Sequence, residues 1–423
     1  MFTNKIEFKL RGNRHLKFEL NLVFFAAFIN LQFMVFQYLY RSRNISPDFL
    51  IFYETTERFL SGKNLYFSQD GGIGFAPTFL YFLFSPLTLL DQQTASNVFI
   101  VLNYILIILI VFMLTRFLPV KHLLIVLTVL NASYSIRSII NNGQIGIIVL
   151  ILQLFILLVL DKHSLRSLLL KSAVIFMLLE LKPYLVLPYF IYLIFSKKME
   201  AYLAIGYVAL FECIYFLINP TSTMFHYVQL ILKRSQETKM EIDQSSFLSL
   251  VDGNIYIFIA YLLLIFIFTL RNFPESEQER AAVLFILAPL ISTYFHRQDS
   301  VFAILIFAVL LTEFNRYLVA VPFFLLLHTG TFNVYFLFQI LLMLFVLKLL
   351  IPLTKKVGII VALSLLLYSY IIHSAEVISG YQASYRLWTP LVFSFQFFVF
   401  VYYVKFGKNI NLLTKTPSRK PDK

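Results

Sequence analysis

Long apolar runs, separated by short polar stretches, recur along the whole of this 423-residue chain. Many are close to the 17–25 residues that a helix needs to cross about 30 Å of hydrocarbon. The pattern predicts an all-α fold, a polytopic transmembrane helical bundle of about 11–14 spans with long outer loops. We expect spans near 20–39, 95–115, 121–139, 145–160, 166–181, 184–196, 200–218, 254–270, 281–295, 300–314, 317–331, 333–350, 357–373 and 390–405.

One further apolar run, 77–90, contains Pro77 and Pro86, and we interpret it as a helix packed against the outer leaflet. With this run not crossing, 24 of the 35 Lys and Arg residues lie on the side of the two termini and 11 on the other. This excess is what the positive-inside rule expects of a cytoplasmic side. The predicted organisation is a cytoplasmic basic tail (1–19), a membrane domain (20–405) with outer loops 40–76 and 219–253, and a second cytoplasmic basic tail (406–423).

Composition agrees with a multi-pass membrane protein. Hydrophobic residues make up 59% of the chain and charged residues 13%, whereas soluble domains carry about 25% charge. The net charge of +13 sits mostly at helix ends, which indicates contact with membrane lipids and no nucleic acid partner. Cys213 lies in an apolar run and is expected in the core, and the residue usage suggests a bacterial inner (plasma) membrane.

Four polar sites interrupt the apolar pattern, and the predicted topology places all four at the outer face. They are Asp48 in the first outer loop, the turn 141–146, Lys182-Pro183, and the stretch 296–299. Each also has an ordinary structural interpretation: a capping or solvated aspartate, a simple turn, a lysine at the lipid interface, an interfacial pair. Glu212, inside an apolar run, needs a partner that the sequence does not identify.

The residue types at these sites suit a lipid-phosphate substrate. Lys182, His296 and Arg297 could bind a phosphate group, and the Asp48 carboxylate could accept a proton from an attacking hydroxyl. The sequence has no P-loop, dinucleotide fingerprint or zinc-ligand spacing. No nucleotide-sugar domain is evident in it either, so a sugar donor would have to come from a lipid.

Several segments resemble the GT-C class of membrane glycosyltransferases, and in particular glycosyltransferase family 87, the polyprenol-phosphate-mannose-dependent α-mannosyltransferases. The matching pieces are PDFLIFYETTERFLSGKNLY, FAPTFLYFLFSPLTLL, NGQIGIIVLIL and ELKPYLVLPYFIYLIF, with looser matches at DQSS and PLISTYFHRQDSVFAIL. Asp243 and Arg297 depart from the family pattern, which has Asn at the first position and often a second His at the other.

The resemblance implies an inverting, metal-independent hexosyltransferase without a cofactor. Its donor would be a polyprenyl-phosphate-linked hexose, expected to be mannose, and its acceptor a lipid or glycan of the cell envelope. Asp48 would be the general base. The substrate-binding residues would be Tyr53, Glu54, Asn142, Gln144, Lys182, Gln244, His296 and Arg297.

Two other functions stay open at this level. A lipid-linked glycan polymerase or ligase also uses long outer loops and a cationic cavity. A lipid-linked sugar flippase or transporter would perform no chemistry, and it should contain inverted repeats with broken helices, which the sequence does not show.

Overall fold

The computed structural model describes residues 44–66, 76–115, 134–158, 164–236 and 254–292, and a few isolated positions besides (38, 39, 74, 394, 397, 398 and 401). Within these residues every regular element is a helix, and no strand occurs. The all-helical prediction is therefore confirmed for the described part of the chain. The predicted spans at 20–39, 300–314, 317–331, 333–350 and 357–373 lie outside it, except for positions 38 and 39, and so do most residues of the predicted spans 121–139 and 390–405.

The helices follow one another in chain order. They are α1 (Pro47–Leu60), α2 (Thr78–Phe84) with a 3-10 turn (Ser85–Leu89), α3 (Gln92–Thr115), α4 (Tyr134–Asn142), α5 (Gly146–Leu158), α6 (Leu165–Leu181), a second 3-10 turn (Pro183–Leu185), α7 (Leu187–Phe195), α8 (Met199–Ile218), α9 (Met224–Gln236), α10 (Ile255–Arg271) and α11 (Glu277–Ile291).

Both segments that we predicted as outer loops contain a helix. In the first, α1 buries a stripe at helical spacing, Phe49, Phe52, Tyr53, Thr56 and Phe59, while its other face is polar. Such a stripe is the pattern of an amphipathic surface helix and is too polar to read as a span. The second loop contains α9.

The run 77–90 is helical and short. Its helix and 3-10 turn together cover Thr78–Leu89. At about 1.5–2 Å per residue, twelve residues reach roughly 20 Å, less than the hydrocarbon thickness. This length agrees with the prediction that the segment does not cross the membrane.

Two described helices are long and apolar enough to cross a membrane, Gln92–Ile110 and Met199–Ile218. Only 17% of the most apolar 18-residue window of α8 is buried within the protein, and Leu210, Phe216 and Leu217 are exposed on this helix. An apolar helix with so little protein around it suits a lipid-facing position. Cys213 is exposed on this helix, so its predicted place in the core is wrong.

Helices α6 and α8 pack side by side as a parallel pair, with their N-terminal ends together. The Phe176 and Phe211 rings stack with centroids 4.8 Å apart, and Phe79 of α2 packs edge-on against both rings. At the far end of α8, the Asn219 amide donates hydrogen bonds to the carbonyls of Phe59 and Lys63. These two bonds attach the end of α1 to the C-terminal end of α8.

The structure supplies the partner that Glu212 lacked. Its Oε2 accepts a hydrogen bond of 2.7 Å from the backbone N–H of Met224, the first residue of α9. A carboxylate at a helix N-terminus meets unsatisfied N–H groups and the positive end of the helix dipole. A second acid, Glu180 of α6, is completely buried within electrostatic reach of Glu212.

The predicted topology can be tested by cysteine labelling in a Cys213→Ser background. Ser61, after α1, and Arg166, in the first turn of α6, are both exposed at opposite ends of the bundle. We expect an impermeant maleimide to label Ser61→Cys from outside the cell and Arg166→Cys only after permeabilisation. The reverse pattern would place α1 in the cytoplasm and contradict an outer-face site.

Candidate active site

Asp48 lies in the first turn of α1. Ser46 is the N-cap residue and Pro47 occupies the first helical position, where its missing N–H costs nothing. The carboxylate therefore stands where backbone N–H groups and the helix dipole favour a negative charge. The side chain is neither fully buried nor fully exposed, so a substrate can reach it.

The turn after α4 closes against this helix end. The N–H of Gln144 bonds the carbonyl of Ile139, and the N–H of Gly143 bonds that of Ile140, the paired bonds of a Schellman cap. Gly143 has φ +74°, and a Cβ added there would lie 2.5 Å from the Cβ of Phe49. Glycine is required both by the left-handed conformation and by the close approach to α1.

This turn places the side-chain amide of Gln144 against the carboxylate of Asp48. Gln144 Nε2 donates a hydrogen bond of 2.6 Å to Asp48 Oδ2, joining residues 96 positions apart. A bond to an ionised acceptor is shorter and stronger than a neutral one, and this one holds the carboxylate in one orientation. The two residues that the sequence analysis placed at the outer face on separate grounds therefore touch directly.

Aromatic packing holds the first turn of α1 in place. Phe49, next to Asp48, packs on Phe84 and Phe99 at centroid distances of 6.0 and 5.4 Å, and those two rings are 5.1 Å apart. Phe49 is fully buried. The first turn of α1 is thereby anchored to α2 and α3.

Tyr53 and Glu54 take different positions on the same helix. Tyr53 is buried, and its hydroxyl donates a hydrogen bond of 2.6 Å to the carbonyl of Leu90. Burial raises the pKa of the Tyr53 phenol, and the Glu57 and Asp91 carboxylates raise it further, so it stays a proton donor. Its contacts are those of a packing residue, whereas Glu54 and Glu57 are exposed.

Lys182 ends α6 as its C-cap residue, and Pro183 then starts the 3-10 turn. The residue is partly buried, and its ammonium group lies 5.9 Å from the centre of the Tyr184 ring. Gln153 of α5 donates to the carbonyl of Leu185 at 3.3 Å. The helix that begins beside Asp48 is thus hydrogen-bonded to the segment that follows Lys182.

The remaining predicted residues divide into two groups. Asn142 is the last residue of α4 and is partly buried in the turn that contacts α1. Gln244, His296 and Arg297 lie outside the described residues. Sequence reasoning did not single out Ser46, which is fully buried with an unpartnered hydroxyl beside the turn, because a serine before a helix usually signals only a cap.

Residues 76–293, about half of the chain, match the family model of glycosyltransferase family 87. The chain belongs to glycosyltransferase family 87. It is therefore a glycosyltransferase, and the family resemblance inferred from the motifs is confirmed. The matched region contains Gln144 and Lys182 but begins after Asp48. No curated protein and no solved structure matches the chain.

The close approach at Gly143 gives a test of the site's geometry, with Gly62 as the matched control. Both glycines have positive φ, but a Cβ at Gly62 would meet nothing within 4 Å. We expect Gly62→Ala to cost only the left-handed strain, about 1–2 kcal/mol. Gly143→Ala should lower the thermal midpoint further and reduce glycosyl transfer, because its Cβ displaces the turn that carries Gln144. Equal losses in the two variants would contradict the close approach.

Proposed function

We propose that this family 87 enzyme transfers a hexose, with mannose expected, from a polyprenyl-phosphate donor to a lipid or glycan acceptor at the outer face of the membrane. The proposed mechanism is inverting, with Asp48 as the general base. The observation that supports it most is the 2.6 Å hydrogen bond between Gln144 and Asp48. It joins a carboxylate of the first outer segment to a residue of the family-matched region.

In this mechanism an acceptor hydroxyl attacks the anomeric carbon of the donor sugar. The bond between that carbon and the phosphate oxygen breaks, the polyprenyl phosphate leaves with the bonding electrons, and Asp48 takes the hydroxyl proton. The base must be ionised to do this, and the Gln144 amide donates to the ionised form. The leaving phosphate needs charge stabilisation more than protonation.

Lys182 is the described residue best suited to stabilise that phosphate. Its place at a helix end before a proline keeps the backbone fixed, and its partial burial reduces screening by water. Lysine acts on phosphate as a point charge. We propose that Lys182, with His296 and Arg297 of the sequence motif, neutralises the donor phosphate.

Replacing Asp48 by asparagine tests the base. Asp48→Asn keeps the shape, and Gln144 can still donate to the amide oxygen, but the basic oxygen is lost. We expect donor binding to remain and transfer to fall by about 10²–10⁴-fold, the usual contribution of general-base catalysis. The measurement is transfer from a synthetic polyprenyl-phosphate mannose to endogenous acceptor lipids, alongside donor binding.

Glu54→Gln and Glu57→Gln are the matched controls, because both carboxylates are exposed on the same helix. Each should transfer sugar at close to the wild-type rate. Loss of sugar transfer in Glu54→Gln, with transfer retained in Asp48→Asn, would assign the general base to Glu54. Full activity in all three variants would count against the transferase mechanism at this site and in favour of a flippase.

Substitution of Lys182 tests the phosphate site. Loss of a hydrogen bond to a charged group costs about 1.5–3 kcal/mol, so Lys182→Ala should weaken donor binding roughly 10- to 150-fold. Lys182→Arg should lose less, because the charge remains. Lys63→Ala, which removes an exposed cation near the end of α1, is the control and should bind the donor normally. Unchanged donor affinity in Lys182→Ala would assign the phosphate to other residues.

A further inference from the structure

A polar cavity lies far from Asp48. Its volume is about 330 Å³, within the range of small-ligand sites, and it is enclosed by α5, α6, α7, α8 and α11. Helix α5 begins beside Asp48 and ends at this cavity with Leu157, thirteen residues after Gln144. At 1.5 Å per residue the two sites are about 20 Å apart along this helix.

The cavity and α1 lie at opposite ends of α8. This helix starts at the cavity with Lys198 as N-cap and Glu200 in its first turn, and it ends at Asn219, which bonds to α1. Its twenty residues reach about 30 Å, the thickness of the hydrocarbon core. If α1 is at the outer face, the cavity opens at the inner face.

Three helix N-termini and two lysines contribute to the cavity. The first turns of α6, α8 and α11 meet there, at Ser164, Lys198 and Glu277. Lys171 Nζ, buried from α6, lies 3.1 Å from Glu277 and 3.5 Å from Glu200, and Lys198 Nζ is 3.4 Å from Glu277. Burial acts to raise the pKa of Glu277, but the two ammonium groups outweigh it and lower the pKa of that carboxyl.

One buried hydroxyl in the cavity has no partner. Tyr189 of α7 is completely buried and lines the cavity, its hydroxyl forms no hydrogen bond, and it lies in the field of Glu277 and Glu200. Buried polar groups are almost always satisfied, so an unpartnered hydroxyl on a residue that lines a cavity points to a bound group within its reach.

The balance of donors and acceptors indicates what that group is. Each ammonium has three hydrogens, and the tyrosine and serine hydroxyls add further donors, whereas both carboxylates are already paired with lysine. An added cation would face two ammonium groups and three helix N-termini. An oxygen-rich anion would meet the ammonium and hydroxyl donors and the three helix N-termini, with the lysine-paired Glu200 and Glu277 carboxylates beside them.

We propose that this cavity binds a phosphate group, carried by an inner-leaflet lipid headgroup or by a small soluble phosphate ester. Lys198, at the partly exposed edge, and Lys171 would hold the anion, and Tyr189 would donate to one of its oxygens. The site is separate from the donor site proposed around Asp48 and Lys182.

The test uses the full chain purified in detergent, with two probes. Inorganic phosphate is titrated while the thermal midpoint is followed, with chloride at matched ionic strength as the blank, and phosphatidylglycerol is added before native mass spectrometry. We expect saturable binding of at least one probe. Protection by inorganic phosphate would indicate a soluble ligand, and retention of phosphatidylglycerol alone would indicate a lipid.

Two variants test the assigned contacts without leaving a buried charge unpaired. Lys198→Gln leaves Glu277 paired with Lys171 and should weaken binding about 10- to 150-fold. Tyr189→Phe removes a hydroxyl that has no partner, so it should fold normally and weaken binding about two- to tenfold. Tyr192→Phe is the matched control on the same helix, because that hydroxyl accepts from Arg280 at 3.0 Å outside the cavity, and it should bind as wild type.

Three results would overturn the proposal. The first is no saturable binding of either probe, which would mean that the cavity contains only an ion-pair network and water. The second is wild-type affinity in both Lys198→Gln and Tyr189→Phe. The third is loss of binding in Lys182→Ala, which would show that the probe occupies the proposed donor site and not this cavity.

Discussion

The stacking of α6 on α8 through Phe176 and Phe211 is the interaction on which the described structure depends. This helix pair carries Lys182 at one end and Lys171 and Lys198 at the other. It also binds α2 through Phe79 and the end of α1 through Asn219. Aromatic packing thus provides a rigid frame in a chain where the hydrophobic effect alone cannot specify how helices pair within lipid.

Hydropathy predicted the helices well because their apolar character and length are properties of the local sequence. It did not detect amphipathic helices: α1 and α9 lie within the segments predicted as outer loops, since their polar faces lower the mean hydropathy. It also could not show which face of α8 is buried, so Cys213 was misplaced. The partner of Glu212 is a backbone N–H group twelve residues away. Such a contact could not be predicted from residue types, because every residue except proline has a backbone N–H.

The candidate site was predictable in its residues and not in its contacts. Motif order brought Asp48, Gln144 and Lys182 together as a set, but nothing in the sequence indicated that Gln144 hydrogen-bonds Asp48 or that Tyr53 bonds the Leu90 carbonyl. Gly143 is informative in retrospect, because only a glycine permits the close contact with Phe49. The family match covers Gln144 and Lys182, and the hydrogen bond with Gln144 joins Asp48 to the matched region.

Helix α1 is held at its beginning by Gln144, in its middle by the Leu90 carbonyl and at its end by Asn219. Three segments distant in sequence therefore fix the position of one short helix. If Asp48 is the base that we propose, its carboxylate loses little conformational freedom when the reaction begins, because folding has already removed that freedom. The rate advantage of such pre-organisation is entropic, and it would be lost if the same aspartate were carried on a mobile loop.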